Sequence, residues 1–78
     1  MSRRYGKNDD KRMIQILRLA AELGSVRRAA HQLGVKNETL ITRAADAAMA
    51  ISNAQMINGT YVSYNHSCRV AADIMENP

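Results

Sequence analysis

The sequence predicts an all-α fold, a small helical bundle of four or five helices. Three observations predict it. The chain has 78 residues, enough for one small domain with a marginal core. Its apolar content is Leu, Ile, Met, Val and many Ala, with three Tyr and neither Trp nor Phe; alanine is the best helix former and a poor strand former. Apolar positions also recur at helical spacing between residues that cap or stop helices.

Residues 1–7 read as a flexible basic arm, polar and without period, carrying Arg3, Arg4 and Gly6. Asn8 suits an N-cap, and Asp9 and Asp10 follow in the first turn, where carboxylates favour the positive helix end. Met13, Leu17, Ala20 and Ala21 share a face that Ile14, Ile16 and Leu23 widen, and Gly24 supplies the stop, so the first helix covers about residues 9–23. Ser25 caps a second, short helix over about residues 26–33, which Gly34 ends; Val35 and Lys36 complete a tight connection.

Asn37 caps a third helix, with Glu38 in its first turn and Leu40, Ala44, Ala47 or Ala48 and Ile51 along one face. The pattern persists toward Met56, and Asn58-Gly59 ends it either as a left-handed cap or as a hairpin turn. In the hairpin alternative residues 55–57 and 60–63 form a short β-hairpin wing near Asn58-Gly59. Continued helix is preferred, because Ala, Met, Gln and Asn before the turn are poor strand material. A final helix from Ser63 or Asn65 to Glu76 puts Cys68, Ala71, Ala72 and Met75 on one face, and Pro78 ends the domain or begins a linker. The domain reading is thus a basic arm, 1–7, and a single domain, 8–77.

The net charge of +4 conceals an asymmetry: residues 1–43 hold ten of the eleven basic side chains and net +6, whereas residues 44–78 net −2. Eight of the eleven cations are Arg, whose planar fork suits phosphates and guanine edges. A basic half of this kind suggests a surface facing a polyanion. The lone cysteine, Cys68, permits no intrachain disulfide, which fits a reducing cytoplasm. Residues 13–23 are interrupted by Gln15, Arg18 and Glu22 and are too short to cross a bilayer, so a soluble protein with no membrane partner is expected.

The informative stretch is residues 24–40. Two helices crossing over a short turn need a small side chain where they touch, and Ala30 fills that place. Gly34 allows a positive φ, and Leu33, Val35 and Leu40 are expected to point inward against the first helix. The third helix then presents its outer face as a rod that fits a DNA major groove.

This stretch resembles the helix-turn-helix of Fis-type and LysR-type bacterial DNA-binding proteins. Their Ser-x-x-x-Ala-Ala-x-x-Leu core is matched by Ser25, Ala29, Ala30 and Leu33, and the Fis-type Leu-Gly-Val-x-x-x-Thr-Leu continuation by Leu33, Gly34, Val35, Thr39 and Leu40. The likeness covers about a third of the chain. No Leu-Phe-x-Arg wing signature of the LysR type follows.

The resemblance implies a double-stranded DNA partner and a small bacterial, phage or plasmid transcriptional repressor, cytoplasmic and associated with nucleoid or plasmid. It places Lys36, Asn37, Glu38, Thr39, Thr42 and Arg43 at the exposed start of the reading helix. There Asn37 can read adenine, Arg43 guanine, and Thr39 or Thr42 a thymine methyl or a phosphate. Glu38 either accepts from cytosine N4 or simply favours the helix start. Arg27 and Arg28 face the phosphate backbone or are simply a solvated face, and Arg3 and Arg4 enter the minor groove, track phosphates or make no contact.

Other readings have less support. His31, His66 and Cys68 suggest a metal, but His66 and Cys68 are two residues apart and no fourth ligand is evident, so no metal or cofactor is expected. Catalysis by Cys68 lacks a base and a pocket, no glycine-rich phosphate loop exists, and the few aromatics disfavour RNA; the chain is expected not to be an enzyme. Met49, Ile51, Met56, Ile57, Tyr61, Val62 and Tyr64 are either ordinary core or the contact of a homodimer, for which cooperative binding on repeated sites is the competitor. Two alternatives to repression stay open. One is a plasmid-segregation or architectural protein that coats repeated DNA sites. The other is a helical adaptor whose basic face meets an acidic protein.

Overall fold

Glycine, serine and asparagine set the helix ends. The computed structural model describes the backbone of residues 7–57, 59 and 63–77. These form an all-α bundle of four helices, α1 (Lys7–Leu23), α2 (Val26–Gln32), α3 (Glu38–Ile57) and α4 (Tyr64–Glu76), with no strand among the described residues.

Helix α1 begins at Lys7, so Asn8 lies inside the helix and not at its cap. Asp9 and Asp10 sit in the first turn and favour the positive end of the helix wherever it starts within a residue or two. At the other end Gly24 takes φ +79° and its N–H donates to the Ala20 carbonyl at 2.7 Å. Ser25 then caps α2: its hydroxyl accepts from the Arg28 amide at 3.2 Å.

The end of α2 is a Schellman motif. The Val35 amide donates to the Ala30 carbonyl at 2.9 Å and the Gly34 amide to the His31 carbonyl at 3.1 Å, with Gly34 at φ +74°. In this motif the residue after the glycine folds back onto the helix, so Val35 is buried against fully buried Ala30. Leu33, expected to point inward, occupies the C-cap position instead and is 42% exposed. The turn turns Val35 inward at the expense of Leu33.

Asn37 caps α3, its side-chain oxygen accepting from the Thr39 amide at 2.9 Å and the Leu40 amide at 3.4 Å. The helix continues through residues 55–57, which the hairpin alternative needed as a strand; the wing's other arm, residues 60–62, lies outside the described residues. Ser63 caps α4 by accepting from the His66 amide at 3.2 Å.

Helix α1 packs against the other three, most extensively against α4. Its Ile16 and Leu17 are completely buried, meeting Val26, Ala29 and Ala30 of α2, Leu40, Ile41, Ala44 and Ala48 of α3, and Cys68, Ala71 and Ala72 of α4 in one core. The abundant alanines let helix axes approach closely; each adds little buried area, so the core gains its cohesion from the few large side chains.

One polar group enters that core. Ser67 is fully buried and donates to the Ser63 carbonyl at 3.2 Å. With its single proton so used, the 2.6 Å contact to Ser52 must be donated by the Ser52 hydroxyl, which ties α3 to α4. Asn65 donates to the Ala21 carbonyl at 2.8 Å, joining the start of α4 to the end of α1. On the surface, Arg18 of α1 reaches Asp73 at 3.2 Å and also bonds Glu76. No helix among the described residues is long and apolar enough to cross a membrane.

Candidate nucleic-acid interface

The stretch singled out in the sequence folds as two helices around a tight turn. Ala29 and Ala30 of α2 have no exposed surface, and Leu40 and Ile41 of α3 are buried beside them. Because those side chains face inward, helical periodicity sends Thr39, Thr42 and Arg43 outward, and all three are exposed. They line one shallow depression with Glu38 and Asp46.

Lys36 is exposed in the turn, and Arg27 and Arg28 are exposed at the start of α2. Around the α2–α3 connection, Arg27, Arg28, Lys36 and Arg43 are exposed, as are the carboxylates of Glu38 and Asp46. Arg3 and Arg4 lie outside the described residues.

Two of the expected roles acquire a different local chemistry. Reading adenine with Asn37 requires its amide oxygen and nitrogen together. The oxygen already accepts two backbone amides as the cap of α3, so a bidentate contact competes with the helix start. Glu38 is engaged as well: Arg27 grips it with two parallel bonds, Nη1 to Oε2 at 2.9 Å and Nη2 to Oε1 at 3.2 Å. The hydrogen bonds and charge of Arg27 hold the Glu38 carboxyl below its ordinary range. The pair spans α2 and α3 across eleven positions of sequence.

Sequence reasoning missed two residues of this surface, Asp46 and His31. Asp46 stands one turn beyond Thr42 and Arg43 on the same face, a position that the helical period alone reveals. His31 lies four residues after Arg27 on α2, exposed, and both line a concavity with Lys36.

The residues considered for a metal do not converge. Cys68 is fully buried, His66 on the same helix is exposed, and His31 stands on α2. Among the described residues no group of three His, Cys, Asp or Glu side chains is placed to hold a metal ion. Burial pushes the Cys68 thiol up, while a hydrogen bond with Tyr64 pulls it partly back. Of the apolar residues considered for dimerisation, Met49 is 47% exposed, and Ile51 and Tyr64 are half-buried. The side chains of Met56, Ile57, Tyr61 and Val62 lie outside the described residues.

Comparison of the chain with protein-family models, curated proteins and solved structures returns no match.

Proposed function

We propose that this chain is a sequence-specific double-stranded DNA-binding protein, a helix-turn-helix domain that lays the first turns of α3 in the major groove. The observation that carries the reading is the joint geometry of turn and surface. A glycine-closed Schellman turn folds α2 back on α3 over fully buried Ala30, while Thr39, Thr42 and Arg43 remain exposed on the outer side. A rod held in this way fits a groove without rearranging its core.

In this reading Arg43 donates its planar fork to a guanine edge, Thr39 and Thr42 contact a thymine methyl or a phosphate, and Arg28 and Lys36 position the domain on the backbone. Asn37 serves the helix start first, through its cap. The biological role that suits such a module is transcriptional repression in a bacterium, phage or plasmid, in the cytoplasm. A homodimer would present two copies of α3 about one DNA turn apart, roughly 34 Å, to paired half-sites.

The test compares binding of the full chain to a duplex enriched by selection and to the same duplex scrambled, over a range of salt. A preference of a hundredfold or more, on the order of 10³–10⁷ for dedicated regulators, supports the reading. Equal, salt-sensitive binding to both points to the coating or architectural role, and no binding at low salt to the adaptor.

A further inference from the structure

We further infer that the concavity between α2 and the start of α3 is a phosphate pocket, in which Arg27, His31 and Lys36 hold the ligand and Glu38 is the internal anion that a phosphate displaces. The inference rests on the proposed DNA reading for its physiological ligand, and adds to it a residue, His31, and a competitor, Glu38.

Four features support it. Arg27 and His31 stand one helical turn apart, both exposed, and line the concavity together with Lys36 from the turn. Val35 and Ile41, both buried, give it an apolar floor, which weakens solvent competition for an anion bound above them. Gly34 adds no side chain to the wall, and even a Cβ there would meet nothing within 4 Å. Most tellingly, an oxyanion already occupies the Arg27 fork: the Glu38 carboxylate takes two parallel N–H···O bonds, the arrangement in which guanidinium also binds phosphate.

The exchange is easy. Both side chains of the Arg27–Glu38 pair are about two-thirds exposed, at 64% and 68%, so water already screens their attraction. A phosphate diester brings the same single charge and in addition meets the His31 imidazole and the Lys36 ammonium, which Glu38 does not engage in the free protein. Glu38 thereby lowers affinity for every duplex alike, leaving discrimination to the residues further along α3.

The test follows the Arg27 guanidinium and His31 ring resonances by NMR at constant pH, with a DNA duplex in one arm and inorganic phosphate in the other. Duplex affinities of E38Q, H31N and K36Q are measured alongside, with circular dichroism melts to verify folding. Both sets of resonances move on adding duplex. E38Q binds all duplexes about two- to fivefold more tightly, the release of one exposed ion pair. H31N binds about two- to tenfold more weakly without changed preference, and K36Q flattens the salt slope by about one.

Duplex binding that leaves the pocket resonances unmoved, or E38Q weakened on the preferred site alone, overturns the pocket while the DNA reading stands. Movement with inorganic phosphate but no duplex binding keeps the pocket and removes the DNA reading.

Discussion

Two arginines each tie one pair of helices together, and they differ in the carboxylates that meet them. Arg18 joins α1 to α4 through two carboxylates, Asp73 and Glu76. Arg27 joins α2 to α3 through one, Glu38, and lines a concavity with His31 and Lys36. The first clamp has one carboxylate in excess, and the second pairs one cation with one carboxylate. What differs is where the carboxylates stand: α4 brings Asp73 and Glu76 to one cation of α1, whereas α2 has no carboxylate and Arg27 takes Glu38 from α3. On the proposed reading, the α2–α3 side is the one that meets an anionic partner.

The largest effect should come from destroying the geometry on which the second side depends. Ala30→Leu forces a larger side chain into a completely buried position and should cost about 1–3 kcal/mol of stability by overpacking. A melting temperature equal to that of the parent would show that α2 has room there. Comparable in size, Arg43→Ala should lose about 1–3 kcal/mol on the preferred duplex and relax specificity at one base pair. Arg69→Ala, exposed on α4, should leave DNA affinity nearly unchanged; equal losses for the two variants would erase the contrast between the sides.

Next comes Gly34→Ala. Its Cβ meets no neighbour, so its cost is the backbone strain of a positive φ alone, about 1–2 kcal/mol in a thermal or urea melt. A stabilised variant would mean that the turn adopts another conformation in solution. The smallest effect concerns pH. Arg27 holds the Glu38 carboxyl low, so the pair contributes above the ordinary carboxylate pKa and is lost as pH falls through the lowered value. Glu38→Gln should therefore show a slightly shallower acid-side decline in stability than the parent. A steeper one would contradict the assignment.

The sequence revealed most where structure is local. Ser25 and Asn37 act as caps, and Gly24 and Gly34 as positive-φ stops, because each needs only its neighbours within one turn; of the two starts open for α4, Ser63 is the cap. The inward faces also follow from spacing: Leu17, Ala20, Leu40, Ala44, Cys68, Ala71 and Ala72 are all buried. The rest depends on partners that spacing does not specify. Leu33 and Val35 both read as core, but the 6→1 bond of the turn buries Val35 and leaves Leu33 exposed.

Ser67 carries no hydrophobic signal, yet it is buried because Ser52 and the Ser63 carbonyl satisfy it. The Arg27–Glu38 grip joins residues eleven apart across a turn, outside the three- and four-residue spacings at which charge pairs can be read from a helix. Within the candidate site, the exposure of Thr39, Thr42 and Arg43 was legible from periodicity. The engagement of Asn37 and Glu38 was not, since it depends on how α2 and α3 meet.

The most direct measurement is a selection of bound molecules from a random duplex pool, run in parallel with the parent chain and Arg43→Ala. The account predicts one enriched motif for the parent, and for the variant the same motif with a single degenerate position. Pools that stay random for both, or identical motifs from parent and variant, would show that the outer face of α3 does not read DNA.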